Sequence, residues 1–344
     1  MSMKSFELRN PRTLQEAIRM LDAKDVHNER VRIMAGGQDL LTEMKEHIVE
    51  PEFVVNIKNI PGMSSIQYNP KTGVKIGALT KIADIAADKT IRQFYPALAM
   101  AAESIASAQI RNMGTLGGNL CQRPRCWYYR NELLMCLKKG GKNCLAASGE
   151  NKYNAILGGG PSFIVHPSDT ATALVALGAT VTIAGAGGTR TIPLKQFFTL
   201  PNVDARRENV LKPNEIVTEI AIAKAPLTSR SVYFKFREQV SMDWAMSAVA
   251  VGLEYTGGKV VNCRIVLGGV APIPWHVPEA EALLKGKTPT PELIQAAAEK
   301  ALEGAIPLNQ NGYKVPLTKA LVRRAVQYLV ASPTPPPYRD VNRM

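Results

Sequence analysis

The first 45 residues alternate between helical and strand-like spacing of apolar side chains. The sequence Thr13-Leu14-Gln15-Glu16 fits a capping box, and apolar residues then recur every three or four positions, which predicts a helix over 13–23. A short apolar run follows at 31–34, then two glycines, and then the helical pattern of 38–45. The sequence therefore predicts a strand, a Gly-Gly turn and a helix in this order.

The pattern continues to alternate along the rest of the chain, which predicts a mixed α+β protein. Strands are predicted at 52–57, 73–78, 181–184, 215–223, 231–237, 246–254 and 259–267, and helices at 81–88, 95–108 and 168–177, with two more helices near the C terminus. The pair Gly257-Gly258 is typical of a hairpin. The Pro-rich tail at 332–344 cannot form a core and is expected to be extended.

Composition narrows the class of protein. The chain has 344 residues, of which 46% are hydrophobic, and a formal net charge of +13, so we expect two or three domains with a substantial core. No apolar run approaches the ~18 to 20 residues that cross a bilayer, and the N terminus lacks the apolar core of an export signal, so we expect a soluble chain without its own signal. Basic residues are spread along the whole chain without a recognition-motif spacing, which argues against a nucleic-acid partner and favours an anionic cofactor or an acidic protein.

Two glycine-rich stretches are candidates for binding an anionic ligand. In 35–40 (AGGQDL) the glycines let the backbone approach a phosphate and the next helix start would offer free amides, although an ordinary tight turn is the alternative for this segment alone. In 110–120 (IRNMGTLGGNL) three glycines fall within five positions, which predicts a loop and not a helix or a strand. Neither stretch is a Walker or G-x-G-x-x-G motif, but together they indicate a large, elongated ligand such as a dinucleotide.

The five cysteines divide into a cluster of four and a single residue. Cys263 lies in an apolar run and is predicted to be a core residue, whereas positions 121, 126, 136 and 144 follow the spacing C-x4-C-x9-C-x7-C. Disulfides are disfavoured in a chain without an export signal, and this spacing fits a four-cysteine zinc site poorly. An iron–sulfur cluster tolerates irregular spacing, and six basic residues against one acidic residue within 121–144 would favour its negative charge. A basic solvated loop with idle thiols is the alternative.

No catalytic constellation stands out in the sequence. The histidines at 27, 47, 166 and 276 have no metal-binding spacing, and no Ser/His/Asp arrangement or nucleophile elbow is present. Asp169 would place a carboxylate at the start of the predicted helix 168–177, near the two glycine stretches. A first-turn acid that stabilises this helix is an equally good interpretation.

Five segments then resemble, in order, one known family. AGGQDL, QIRNMGTLGGNL, HPSDTATALVALGA, YFKFREQ and LGGVAPIP are similar to the FAD-binding medium subunit of the xanthine oxidase family of molybdenum hydroxylases, from about residue 5 to residue 330. The segment CQRPRCWYYRN with two further cysteines resembles the branch whose flavin subunit carries an extra 4Fe-4S cluster, and most of all the flavin subunit of bacterial aldehyde oxidoreductases. The flavin subunits of 4-hydroxybenzoyl-CoA reductase and of xanthine dehydrogenase-like enzymes are the alternatives.

The resemblance implies an α+β fold of the PCMH or vanillyl-alcohol-oxidase type, in which two subdomains clasp FAD. On this basis residues 1–60 would form the first subdomain, and 61–226 the second, with the cysteine-rich cluster loop at 121–144. A C-terminal α+β domain, like that of the CO dehydrogenase flavoprotein, would span 227–331 before the tail 332–344.

The resemblance also implies the site residues. The first loop would wrap the FAD diphosphate, the second would line the cofactor, and four thiolates would hold the 4Fe-4S cluster. The implied FAD contacts are Ile33, Met34, Ala35, Gly36, Gly37, Gln38, Asp39, Leu40, Ile105, Thr115, Leu116, Gly117, Gly118, Asn119, Asp169, Val217 and Lys235, and the implied cluster ligands are Cys121, Cys126, Cys136 and Cys144. Gln38 departs from the threonine that is usual in this family, but its amide can still donate to a phosphate oxygen.

In the implied assembly this chain is one subunit of a heterotrimer. A large subunit with the molybdenum cofactor would oxidise an aldehyde, a small subunit with two 2Fe-2S clusters would collect the electrons, and FAD on this chain would pass them to an external acceptor. The implied location is the cytoplasm, or the periplasm if a partner with a signal carries the chain out. A stand-alone flavin oxidase and a zinc-stabilised FAD-binding scaffold are the rival classes.

Overall fold

The computed structural model describes residues 3–226, 229–239 and 242–331, which contain three successive sheets. The predicted extended tail at 332–344 lies outside the described residues. The first sheet is built from β1 (Glu7–Arg9), α1 (Leu14–Arg19), β2 (Val31–Met34), α2 (Leu40–Lys45) and β3 (Phe53–Asn56). Strand β3 lies between β1 and β2 and pairs in parallel with both, so the helices are crossover connections, as parallel strands require.

The predicted capping box at the start of α1 forms in a shifted version. The Thr13 hydroxyl accepts a hydrogen bond from the amide of Glu16 at 3.1 Å, as predicted. The Glu16 carboxylate accepts from the amide of Arg12 at 2.7 Å, one residue before the amide that the motif specifies. The helix ends at Arg19 and is therefore shorter than the sequence pattern predicts.

The second part of the chain carries a five-stranded antiparallel sheet. Its elements are β4 (Ile66–Asn69), β5 (Gly73–Gly77), α3 (Ile82–Ala87), α4 (Lys89–Phe94), α5 (Pro96–Glu103), α6 (Ala108–Met113), α7 (Leu116–Leu120), α8 (Asp169–Ala176), β6 (Thr180–Gly185), β7 (Gly188–Pro193) and β8 (Glu215–Ala223). The strand order is β4-β5-β8-β6-β7. The cysteine-rich segment 121–144, called the Cys loop below, lies between α7 and α8 and contains one short 3-10 turn, Leu137–Lys139.

One predicted helix in this part is wrong. The pattern predicts a single helix over 95–108, whereas α5 ends at Glu103 and α6 begins at Ala108. Ala106 has a φ of +40°, in the left-handed region, and the Ser107 hydroxyl accepts from the amide of Ile110 and so caps a new helix. A left-handed residue cannot continue a right-handed helix, so the break is local.

The third part is a four-stranded antiparallel sheet with three helices. Its elements are β9 (Ser229–Phe236), β10 (Ser247–Thr256), β11 (Lys259–Gly268), β12 (Trp275–His276), α9 (Pro278–Leu284), α10 (Pro291–Ala301) and α11 (Lys314–Ala331). The strand order is β12-β11-β10-β9, and Gly257 and Gly258 join β10 to β11 with φ values of +60° and +76°. The predicted hairpin is thereby confirmed, and both glycines adopt the backbone region that a tight hairpin turn needs.

One large apolar core connects the parts. It contains buried residues from α1 through α11, and Cys263 lies within it at 6% exposure, which confirms the predicted core position of this thiol. A smaller cluster of Leu40, Met44 and Val54 lies between α2 and the first sheet. The helices α5 and α8 pack against strands of the third sheet, so the last two parts share a continuous interior.

The start of α11 clamps the chain segment that follows the Cys loop. Asn311 donates to the carbonyls of residues 154 and 155 at 3.1 and 3.3 Å, and the Tyr313 hydroxyl donates to the carbonyl of residue 152 at 2.9 Å. The fully buried Lys314 donates to the carbonyl of residue 153 at 2.8 Å and to that of Gly269 at 2.7 Å. Segment 152–155 is therefore held by the first residue of the C-terminal helix and by the residues just before it.

Candidate functional site

The two glycine stretches of the sequence lie against each other. A Cβ atom on Gly36 would be 2.1 Å from the carbonyl oxygen of Met113, so only glycine permits this approach. Gly37 has a φ of +74°, which turns the chain from β2 towards α2. The stretches are 75 to 80 residues apart along the chain, and the fold makes them neighbours.

A cavity of about 330 Å³ opens beside this contact. Its wall includes every residue from 33 to 40, which the resemblance assigns to the FAD diphosphate. Four further residues of the implied site also line it: Ile105, Thr115, Gly118 and Asn119. The structure therefore brings twelve of the seventeen implied FAD contacts to one cavity.

The second glycine stretch departs from its predicted loop conformation. Residues Leu116–Leu120 form the short helix α7, whose first amides are capped by the Thr115 hydroxyl. A Cβ on Gly117 would be 2.9 Å from the Cβ of Ala78, so the glycine lets this helix pack directly on the chain after β5. Tertiary packing here outweighs the poor helix propensity of glycine.

The other five implied FAD contacts lie elsewhere. Leu116 is fully buried, Gly117 packs on Ala78, and Val217 is buried in β8, where it pairs with Ile183. Asp169 lines a second cavity of about 250 Å³, and Lys235 lies beside it in β9. Arg125 and Trp244 line both cavities, so the two spaces adjoin.

Asp169 is the centre of a buried charge cluster. The Lys235 ammonium donates to its carboxylate at 2.8 Å, and both side chains are 4% exposed. The Tyr233 hydroxyl donates to the other carboxylate oxygen. Lys235 also donates to the carbonyl of Ser104 at 3.2 Å, which ties β9 to the end of α5. The two implied residues Asp169 and Lys235 are thus partners of each other.

Asn119 links the second glycine stretch to the start of α8. Its side-chain oxygen accepts hydrogen bonds from the hydroxyls of Ser168 and Thr170, both at 2.6 Å. Ser168 also caps α8 by accepting from the amide of Ala171 at 3.0 Å. This connection fixes Asp169, the first residue of α8, relative to the cavity wall.

The cavity wall carries basic residues that the sequence analysis did not select. Arg32, Arg123, Arg206 and Arg207 all line it. Burial and the nearby charge of Arg123 lower the pKa of the Arg32 guanidinium, and its Nε has no hydrogen-bond partner among the described residues. The signal in the sequence was an arginine inside the apolar strand VRIM, where a charge is unusual. A half-buried guanidinium on this wall whose Nε lacks a partner among the described residues suits an anionic ligand.

The side chain of Asp39, on the wall of the first cavity, pairs with residues of the Cys loop. Its carboxylate pairs with Arg125 and, at 2.8 Å, with Arg130, and it accepts from the amide of Arg123 at 2.7 Å. Burial alone would raise the pKa of this carboxyl, but the two guanidiniums and the amide together hold the pKa below its usual value.

A second carboxylate, Glu208, holds the far end of the Cys loop. Lys138 approaches it at 2.6 Å and Arg123 at 3.1 Å, and the Lys138 and Glu208 side chains are 2% and 4% exposed. Tyr129 adds a third contact, since its hydroxyl donates at 2.5 Å to the buried Glu43 of α2. The sequence analysis missed Glu43 and Glu208, because nothing in their local sequence indicates a distant partner.

The four cysteines of the loop do not share one environment. Cys121 lines the first cavity, and burial together with the nearby Glu208 raises the pKa of its thiol to about 12. Cys126 lines the second cavity, and its pKa is also raised by burial.

Cys126, Cys136 and Cys144 lie in one region of the loop. The Cys144 sulfur accepts from the amide of Phe163 at 3.5 Å and interacts electrostatically with the Cys126 thiol, while the thiols of Cys136 and Cys126 both act on Lys139. Among the described residues no three His, Cys, Asp or Glu side chains are close enough to hold a metal ion. The arrangement therefore fits a four-thiolate cluster only in part.

No described helix is both long and apolar enough to span a membrane. This agrees with the absence of a long apolar run in the sequence.

Two family models together match nearly the whole chain. Residues 4–225 match the FAD binding domain in molybdopterin dehydrogenase, and residues 232–329 match the CO dehydrogenase flavoprotein C-terminal domain. The first match contains both glycine stretches, the Cys loop and Asp169, and the second contains Lys235. All of the residues that line the first cavity, except Trp244, lie within the matched FAD binding domain.

Curated relatives and solved structures agree with this result. The chain is 33% identical over 320 residues to the aldehyde oxidoreductase FAD-binding subunit PaoB of Escherichia coli (strain K12), covering 92% of this chain and 96% of that protein. It is 28% identical to the carbon monoxide dehydrogenase medium chain of Hydrogenophaga pseudoflava, covering 93% and 96%. Its fold superposes on a solved structure of carbon monoxide dehydrogenase from the same organism with a TM-score of 0.76 at 27% identity, covering 96% and 99%. The chain belongs to the family of FAD-binding medium subunits of molybdenum hydroxylases.

Proposed function

We propose that this chain is the FAD-containing electron-transfer subunit of a heterotrimeric, molybdenum-dependent aldehyde oxidoreductase. Its partners would be a molybdopterin-binding large subunit, a small 2Fe-2S subunit and an external electron acceptor. The observation that carries the proposal is the single cavity that gathers residues 33–40 and the second glycine stretch. The relative that is named an aldehyde oxidoreductase subunit supports aldehydes as the substrate class.

The residues of the first cavity fit a dinucleotide cofactor. Its glycine stretches leave the backbone open to a diphosphate, Gln38 offers a side-chain amide, and Arg32 offers a guanidinium whose Nε has no partner among the described residues. When bound, FAD supplies the two-electron storage that links the partner subunits to the acceptor. The chain itself binds the cofactor, orients it and excludes water from one side.

The buried Asp169 cluster acts as a positioning device in this proposal. Lys235 and Tyr233 fix the carboxylate of Asp169, and Asn119 fixes the helix on which it lies. We propose that Asp169 contacts the cofactor from the wall of the second cavity, with Lys235 beside it. Leu116, Gly117 and Val217 are proposed as backbone contacts, as the family resemblance implies. No residue of this chain transfers a proton to the aldehyde.

We further propose that the Cys loop carries a 4Fe-4S cluster through Cys121, Cys126, Cys136 and Cys144. The four cysteines fall within 24 residues of the sequence, and all four are free and therefore available as ligands. The position of Cys121 on the first cavity gives it the weakest support of the four.

Metal and flavin analysis of the purified chain tests both parts of this proposal. We expect one FAD and about four irons per chain, with a broad absorbance near roughly 400 nm. Cys126→Ser should lose most of the iron and retain some FAD, because Cys126 does not line the first cavity. Cys263→Ser is the matched control and should retain both, because Cys263 is a core residue.

Three results would contradict the proposal. Zinc without iron would favour the zinc-stabilised scaffold, and full iron content in Cys126→Ser would remove this residue from the ligand set. A chain that does not bind FAD would overturn the function itself. The matching Cys121→Ser variant decides whether the thiol on the cavity wall is a ligand.

A further inference from the structure

We propose that the Cys loop is a working part of the FAD site: its cations neutralise two carboxylates on the cavity wall, Asp39 and Glu208, that would otherwise repel the cofactor diphosphate. This inference rests on the proposed binding of FAD in the first cavity. It assigns a positioning role to Arg130 and Lys138, neither of which lines that cavity.

Asp39 is the first of the two carboxylates. This residue lies within the stretch 33–40 that surrounds the proposed diphosphate site, where a negative charge is electrostatically unfavourable. Arg125 and Arg130 pair with its carboxylate, and the amide of Arg123 donates to it as well. All three partners come from the Cys loop, so the stretch is neutralised only when this loop is in place.

Glu208, the second carboxylate, lies on another part of the same cavity wall. Its carboxylate is 4% exposed and pairs with Lys138 and Arg123. Lys138 also donates to the carbonyl of Ala205 at 3.0 Å, which fixes the chain beside Arg206 and Arg207. Without Lys138, a buried carboxylate would face the cavity with a single remaining cation, and its charge would act on any anion bound there.

Because of the ion pairs at Asp39 and at Glu208, folding of the Cys loop and affinity for FAD depend on each other. If loop folding strengthens FAD binding, bound FAD must stabilise the folded loop by the same factor. The basic residues of the loop therefore serve the flavin site, in addition to any role they have around the cysteines. Four of its six basic residues, Arg123, Arg125, Arg130 and Lys138, are engaged by these two carboxylates.

Two adjacent lysines provide a matched test on the full-length chain. Lys138→Met removes the cation that pairs with Glu208, whereas Lys139→Met removes the same charge from a side chain that donates to the carbonyl of Asn131 and pairs with no carboxylate among the described residues. FAD affinity, measured by quenching of flavin fluorescence on titration of the FAD-depleted chain, should fall about tenfold in Lys138→Met and less than about twofold in Lys139→Met.

A second readout separates this role from general destabilisation. In the Glu208→Gln background the carboxylate is neutral, so Lys138→Met should then change FAD affinity less than about twofold. Saturating FAD should also slow tryptic cleavage at the exposed Lys142 in the unmodified chain, and should slow it less in Lys138→Met. If Lys138→Met does not fold, Arg130→Gln tests the same inference at Asp39.

These experiments distinguish failure of this inference from failure of the proposed function. If the unmodified chain binds FAD but Lys138→Met and Lys139→Met bind it equally well, the inference is overturned and the function stands. Equal effects of Lys138→Met with and without the Glu208 carboxylate would overturn it too. If the unmodified chain does not bind FAD, the proposed function fails first.

Discussion

At Asp169 three side chains from distant parts of the chain meet in a dry environment. The carboxylate comes from the start of α8, and its partners Lys235 and Tyr233 come from β9, more than sixty residues later. Each charge is tolerated in the interior because the other is present. The family resemblance named Asp169 and Lys235 as separate cofactor contacts, and the structure shows in addition that each one fixes the other.

Removal of one partner should therefore destabilise the fold. Lys235→Met is expected to lower the free energy of unfolding by about 3 kcal/mol, because it leaves the buried Asp169 carboxylate without its cation. Lys152→Met breaks an exposed pair with Glu238 and should lower the free energy of unfolding far less, because solvent screens that pair. Urea denaturation of both variants, followed by circular dichroism, measures the difference. Equal losses in the two variants would show that the Asp169–Lys235 pair contributes little.

Among the elements, the contact between the two glycine stretches decides the shape of the site. The turn after β2 and the end of α6 approach so closely that no side chain fits between them at Gly36. Because α2 has only six residues, its dipole is short. The groups on this wall that could bind an anion therefore come mainly from the connecting stretch before the helix. The position of the stretch 35–40 therefore depends on its contact with the stretch 110–120.

A single methyl group added at Gly36 should push the two glycine stretches apart. Gly36→Ala is expected to weaken FAD binding at least about tenfold, since its Cβ would overlap the carbonyl oxygen of Met113 and the backbone must shift. Gly187→Ala is the control, because nothing lies within 4 Å of its Cβ position and its φ is not in the left-handed region. Flavin fluorescence titration of both variants checks this, and unchanged affinity in Gly36→Ala would contradict the described contact.

The sequence predicted the elements better than the ways in which they meet. The strand 215–223 and the hairpin at Gly257-Gly258 are confirmed, because alternation and turn glycines are local signals. The break at Ala106 and the helix at Leu116–Leu120 were missed, because tertiary packing overrides local propensity at both places. Glu43 and Glu208 could not be selected from sequence, since their partners are 86 and 70 residues away.

On the scale of the whole molecule, the positive charge has a different distribution from the one that the sequence suggested. The excess within 121–144 was interpreted as the surroundings of an anionic cluster. Most of these cations pair with Asp39 and Glu208 on the wall of the first cavity. The segment 121–144 contributes +5 to the net charge of +13, and the remaining +8 lies elsewhere in the chain.

Assembly with partners should be directly observable. When the chain is produced together with a molybdopterin-binding subunit and a small 2Fe-2S subunit encoded beside it, we expect all three to co-purify in equal amounts through a tag on this chain. Analytical size exclusion and cofactor analysis measure the complex, and production with the 2Fe-2S subunit alone is the control. A stable FAD-loaded monomer in the presence of both partners would contradict the proposed heterotrimer.

The clamp at the start of α11 has a consequence for the order of events during synthesis. Asn311, Tyr313 and Lys314 are synthesised more than 150 residues after segment 152–155, which cannot make its native hydrogen bonds before then. Asn154 in this segment lies 3.8 Å from the sulfur of Cys126. The region around the cysteines therefore reaches its native surroundings only after the start of α11 has been synthesised.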